Sequence, residues 1–126
     1  MKQRGILLPI FSLPSKYGIG DFGKEAYEFI DILSGNGIEY WEILPINACD
    51  ELPYSPISYY ALNEEYISLD RLVEEKLIKS ARKRSIKDRA IHSDFKEKYY
   101  KEAFKNFKKT EEYKEFIKNK EIKKYS

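Results

Sequence analysis

Asp50 and Glu51 are adjacent carboxylates, and they lead straight into Pro53-Tyr54-Ser55-Pro56 and the tyrosines Tyr59 and Tyr60. Flat aromatic faces cover the C–H faces of a pyranose, while acids and hydroxyls take its outward-pointing OH groups, so this stretch suits sugar binding. The same residues also fit an ordinary proline-rich connection after a parallel strand. As a catalytic pair the two acids are rejected. Neighbouring side chains in an extended loop point apart, and nothing around them argues for a raised pKa in either. His92 stands alone, with no Cys or carboxylate at metal-ligand spacing, and reads as a surface residue. Cys49 has no histidine motif beside it, and a single cysteine excludes an internal disulfide framework. No cofactor motif stands out. Gly18-x-Gly20-x-x-Gly23 has the letters of a dinucleotide turn and precedes a helix. However, the loop leading to it is too long for a tight turn, and no acid closes the following strand.

The elements that would position this loop follow from periodicity. GILLPIF, residues 5–11, is a continuously apolar run that suits a parallel strand covered on both faces. Pro9 argues against a regular strand beyond it. Residues 12–20 form a loop, and Asp21 is placed to cap a helix from about Phe22 to Leu33. Ala26, Phe29, Ile30 and Leu33 share one face of that helix. Ser34-Gly35-Asn36-Gly37 ends it, with glycine free to take the left-handed cap position. A second strand spans residues 38–46, with Trp41 in the core. Strand, helix, strand is a crossover unit with parallel strands. The loops after both strands, residues 12–20 and 47–60, therefore emerge on one side, where α/β proteins bind ligands.

Further on, an extended piece is expected at residues 66–69 and a short helix at 72–78. A basic connection follows at 80–91. A long helix over 95–109, capped by Ser93 or Asp94, has Phe95, Tyr99, Ala103, Phe104 and Phe107 as its apolar stripe. Thr110 caps a last helix with Tyr113, Phe116 and Ile117 inward.

The chain has 126 residues, enough for one small domain with a core, and its 42% hydrophobic and 35% charged residues mark it as soluble and globular rather than disordered. No apolar run approaches the roughly 20 residues of a membrane helix, and the apolar run at 6–11 is short for a signal peptide. A cytoplasmic location is expected. The net charge of +2 hides an asymmetry. Residues 1–70 carry 4 Lys/Arg against 11 Asp/Glu, and residues 71–126 carry 19 against 10. A boundary is therefore expected near Asp70.

Ser12-Leu13-Pro14, Tyr17-Gly18-Ile19-Gly20-Asp21, Tyr40-Trp41-Glu42-Ile43-Leu44-Pro45, Pro53-Tyr54 and Tyr60-Ala61-Leu62-Asn63 occur in this order. In that order and spacing the sequence resembles the 4-α-glucanotransferases, or amylomaltases, over about residues 4–72. The resemblance implies an α/β fold of the α-amylase clan, a (β/α)8 TIM barrel with helical insertions. A complete barrel needs about 250 residues. The chain would then hold a partial barrel followed by a mainly helical insertion region. Residues 1–70 would form the start of the catalytic barrel, with the first two parallel strands, the crossover helix and the sugar-binding loop. Residues 71–126 would form the basic helical insertion region, truncated.

The reaction implied is retaining transfer of α-1,4-glucan segments between maltooligosaccharides, with an aspartate nucleophile and a glutamate acid/base. None of the residues here matches the segments that carry those carboxylates, so no catalytic residue is assigned and the chain alone is expected to be inactive. The family's loop tyrosine corresponds to Tyr54, and Ser58 and Asn63 match positions near it; these three are the expected substrate-binding residues. The family's Asp-Ser before Pro-Tyr is Glu51-Leu52 here, its following Gln-Ser is Ser55-Pro56, and a first-loop histidine is replaced around Pro9. The implied partners are α-1,4-glucans and the rest of the barrel, with no membrane and no nucleic acid.

Two other readings are kept. A stand-alone glucan-binding protein would fold cooperatively by itself, whereas two barrel strands without neighbours leave open edges and an uncovered apolar face, so the isolated chain is expected to be aggregation-prone. A basic partner- or nucleic-acid-binding module is suggested by lysines 96, 98, 101, 105, 108 and 109 among Tyr99, Tyr100, Phe104 and Phe107. Salt-sensitive retention on heparin or DNA would distinguish it from a solvated lysine-rich helix.

Overall fold

The computed structural model describes residues 2–49, 56–84 and 94–119. Gly5–Leu7 (β1) and Tyr40–Glu42 (β2) pair in parallel, with Gly5 opposite Tyr40, Ile6 opposite Trp41 and Leu7 opposite Glu42. The crossover a parallel pair requires is the helix α1, Lys24–Gly35. The strand–helix–strand unit expected from the sequence is therefore present. Each strand is shorter than its apolar run. The Leu8 amide still donates to the Glu42 carbonyl at 3.0 Å, but Pro9 has no N–H to offer next, and the chain turns into a 3₁₀ turn at Ile10–Ser12. The apolar run of the first strand suits cover on both faces, whereas two strands without neighbours leave apolar surface open; here Leu7 is 55% and Tyr40 54% exposed, and among the described residues no third strand flanks the pair.

α1 begins two residues later than expected. Gly23 is its N-cap, and the Asp21 carboxylate accepts from the Gly23 amide at 2.9 Å, one step before the helix. The C-terminal end follows the expectation. Gly37 takes a φ of +70°, and the Ile38 amide returns to the Leu33 carbonyl at 2.9 Å. Trp41 is a packing residue, as expected. Its indole N–H donates to the Leu8 carbonyl at 2.9 Å, and its ring meets Phe29 edge-on at 4.8 Å.

Ile10, Leu13 and Ile19 from the loop after β1 pack with Ala26 and Tyr66 in a first buried cluster. Tyr17, Leu69, Ile78, Tyr99 and Ala103 form a second. The second cluster joins the acidic and basic halves, so the change in charge near Asp70 is not a gap in packing. The Tyr17 hydroxyl donates to Asp70 at 2.6 Å, and the Arg84 amide donates to the Lys16 carbonyl at 2.8 Å.

The later elements differ in their bounds. Of the stretch expected to be extended, residues 66–69, Ile67 and Ser68 are extended, between a 3₁₀ turn at Glu64–Tyr66 and α2, Leu69–Glu74. Ser68 caps α2 by accepting from the Arg71 amide at 3.3 Å, which starts that helix three residues early. α3 is Glu97–Asn106, and its N-cap Lys96 makes no side-chain cap bond. Of its expected stripe, Tyr99 and Ala103 are buried but Phe104 is 67% exposed. Thr110 caps α4, Glu111–Lys118, by accepting from the Tyr113 amide at 3.2 Å. Tyr113 packs edge-on against Phe107 at 5.2 Å, whereas Phe116 and Ile117, expected inward, are exposed. Thr110→Ala should remove about 1 kcal/mol of helix stability. Because α4 has no buried residue, the loss should appear as faster amide exchange over residues 113–118, with the global melting temperature nearly unchanged.

Candidate functional site

Beyond β2 the chain forms an arch. Ala48 donates to the Ala61 carbonyl at 2.8 Å, Ile57 to Ala48 at 2.9 Å and Asn63 to Ile46 at 2.9 Å. Antiparallel bridges join Asn47 to Leu62 and Cys49 to Pro56. These bonds fasten the two limbs of the loop at its base. Asp50, Glu51, Pro53 and Tyr54 lie outside the described residues, as does His92. Parallel pairing puts this arch and the loop after β1 at the same end of the sheet.

Ser58 and Asn63 belong to the descending limb. The Ser58 hydroxyl oxygen accepts from the Tyr60 and Ala61 amides, each at 3.2 Å, and so bends the chain there. Next to it Tyr59 is 86% and Tyr60 65% exposed. Asn63 is buried. Its Oδ1 accepts from the Glu65 amide at 3.0 Å, capping the 3₁₀ turn, and its Nδ2 approaches Cys49 Sγ at 3.9 Å. Cys49, read from sequence as a loop thiol without function, is buried in the base of the arch. A cleft of about 450 Å³ at that base has Ile46, Leu62, Asn63, Phe22, Tyr66 and Arg71 in its lining.

The glycine-rich loop after β1 offers no phosphate cradle. The amides of Gly20, Phe22 and Gly23 donate to the Phe11 carbonyl, the Tyr66 carbonyl and Asp21, respectively. Anion binding would need those N–H groups free. Among the described residues no three His, Cys, Asp or Glu side chains converge as metal ligands.

The strongest electrostatic feature was not foreseen. Lys96 is 1% exposed, and its ammonium donates to the Glu65 carbonyl at 2.7 Å and the Ile67 carbonyl at 3.4 Å, and stands 3.6 Å from Asp21 Oδ2. Burial pushes the Asp21 carboxyl up and the Lys96 ammonium down, each against the pull of its partner. Asp21 is enclosed by Gly23 and Lys96 and is not placed to act on a substrate. Burial, then the bond to Asp70, holds the Tyr17 phenol well above its ordinary value; burial does the same for Tyr100. Both are fixed donors. A signal for Lys96 was present in the sequence: Tyr99, Tyr100 and Ala103 lie three, four and seven residues on, which puts Lys96 on the same helix face.

The family model described as 4-alpha-glucanotransferase matches residues 8–126. A 4-alpha-glucanotransferase from Aquifex aeolicus is 42% identical over 117 residues, covering 86% of this chain and 24% of that protein. One from Streptococcus pneumoniae is 44% identical over 82 residues, covering 64% of this chain and 16% of that protein. The solved amylomaltase from Streptococcus agalactiae in complex with acarbose superposes with a TM-score of 0.70 at 29% identity, covering 93% of this chain and 26% of that one. The chain thus spans about a quarter or less of the length of these relatives.

Proposed function

The chain belongs to the 4-alpha-glucanotransferase family, and from that premise we propose that it forms part of a cytoplasmic enzyme that transfers α-1,4-glucan segments between maltooligosaccharides. The observation that carries this reading is the family match over residues 8–126. The transfer proceeds with retention: an aspartate nucleophile takes the glycosyl group, and a glutamate first protonates the leaving oxygen and then activates the acceptor hydroxyl. Those carboxylates lie outside this chain, which is inactive alone. Its contribution is the start of a barrel and a glucan-binding arch, with a helical region attached from residue 71.

Within the arch Tyr54 supplies the aromatic face for a glucose ring. Ser58 flanks it on the descending limb, and Asn63, buried, supports that surface from the base of the arch. The Ser58 hydroxyl accepts from two amides and keeps its hydrogen to donate outward, while Asn63 holds the base of the arch in place. The acarbose complex of the Streptococcus agalactiae amylomaltase supports an oligosaccharide as the ligand class. Tyr54→Ala should weaken maltoheptaose binding roughly fivefold, the effect of about 1 kcal/mol of lost ring stacking. Titration calorimetry with both proteins measures this, and equal affinities would remove Tyr54 from the site.

A further inference from the structure

Four consecutive backbone carbonyls, those of residues 64–67, accept hydrogen bonds from groups distant in sequence. The Tyr100 hydroxyl reaches Glu64 at 2.6 Å, the Lys96 ammonium reaches Glu65 at 2.7 Å and Ile67 at 3.4 Å, and the Phe22 amide reaches Tyr66 at 3.0 Å. Lys96 and Tyr100 are one turn apart at the start of α3, so a single helix face grips this segment. The segment begins at Asn63, whose own amide ties into the base of the arch at Ile46. Glu65 is held from both sides, its amide by the Asn63 side chain and its carbonyl by Lys96.

A lysine that only solubilised a helix would leave its ammonium in water. This one is buried at the junction of three pieces: the loop after β1 through Asp21, the segment after the arch, and α3. Burying an ammonium is unfavourable, and an apolar residue of similar size would fill the space without that cost. What the apolar residue could not do is fix the carbonyls of residues 65 and 67. We propose that Lys96, backed by Tyr100, is a positioning residue for the glucan site. It sets the 63–67 segment, and through Asn63 the base of the arch, from the helical part of the chain. The inference rests on the sugar-binding reading of the arch.

The test uses the 126-residue chain with Asp21→Asn plus Lys96→Met, which removes both buried charges together, and Tyr100→Phe, which removes one hydroxyl at constant shape. Two quantities are measured: exchange of the Glu65 amide, with the amides of α1 as internal reference, and affinity for maltoheptaose. In the double variant Glu65 exchange should accelerate about tenfold or more while α1 is unchanged, and affinity should fall about fivefold. Tyr100→Phe should shift both the same way by less, and it decides the matter if the double variant does not fold. Native exchange at Glu65 overturns the clamp whatever the sugar does. Faster exchange with native affinity overturns the positioning role. Faster exchange in a chain whose unmutated form binds no maltoheptaose overturns the sugar reading of the arch and leaves the clamp standing.

Discussion

Gly20→Ala should strongly destabilise the chain. A Cβ there would sit 2.1 Å from the Ile10 carbonyl oxygen, 2.7 Å from Leu13 Cβ and 2.8 Å from the Leu13 carbonyl oxygen. These are the atoms of the 3₁₀ turn after β1, and the Gly20 amide is itself bonded to the Phe11 carbonyl at 3.1 Å. No flexible side-chain end can move aside, so the whole turn must shift, and Ile10 and Leu13 are core residues at 2% exposure. The expected loss is roughly 3 kcal/mol or more, at the upper end for overpacking. Gly35→Ala is the matched control. It has nothing within 4 Å and ends a helix, so it should be neutral or stabilise by about 0.5 kcal/mol. Urea unfolding of the two variants against the parent separates local conflict from a general intolerance of alanine.

Asp21→Ala should cost about 3–5 kcal/mol, because it leaves the Lys96 ammonium buried without its counter-charge. Lys96→Met should cost a similar amount for the reverse reason. Removing both charges, with Asp21→Asn and Lys96→Met, should return most of the loss or add stability, as replacement of buried ion pairs commonly does. The pH dependence has a defined sign. Asp21 has a folded pKa raised above its ordinary 3.8, mainly by burial. Its contribution is complete below 3.8 and is lost as pH rises through the folded value. Lys96 has a folded pKa lowered below its ordinary 10.5, again mainly by burial. Its contribution is complete above 10.5 and is lost as pH falls through the folded value. The two groups together place a trough in stability between those limits. In the double variant the trough should flatten, and equilibrium unfolding across the pH range measures the difference.

What the sequence made legible was what local patterning controls. The apolar runs, the stripe of α1, the glycine at the end of α1 and the threonine before α4 each carry their meaning within a few residues. The parallel pairing followed because a strand, a helix and a strand leave few other arrangements. Bounds shifted where a distant partner won. Asp21 looked like a helix cap because nothing nearby announces Lys96, 75 residues away, and the extended reading of residues 66–69 holds only at Ile67 and Ser68 because Ser68 caps α2 and starts it at Leu69. Phe104, Phe116 and Ile117 were read as inward from periodicity alone. The helices carry the expected stripes, but among the described residues their faces are only partly covered. The exposed Leu7, Ile30 and Tyr40 fit the expectation that two barrel strands without neighbours leave apolar surface uncovered.

The proposed site was read in a different way. Tyr54 came from the motif Pro53-Tyr54 in its ordered context, and it lies outside the described residues. Ser58 and Asn63 also came from the motif, and the structure adds what each does in the arch: one bends the descending limb, the other fastens its base. Lys96 was counted among the charges of a basic helix, because composition cannot separate one buried ammonium from its solvated neighbours.

The most direct test of the central claim is a titration of the ¹⁵N-labelled chain with maltoheptaose, followed by amide shifts, with free glucose assayed in the same sample. The account predicts saturating shifts at Tyr54, Ser58, Tyr59 and Tyr60, little change on α3 and α4, and no glucose. Shifts confined to the lysines of α3 and α4, or none at all, would contradict glucan binding by the arch. Glucose release would contradict the assignment of the catalytic carboxylates to residues outside this chain.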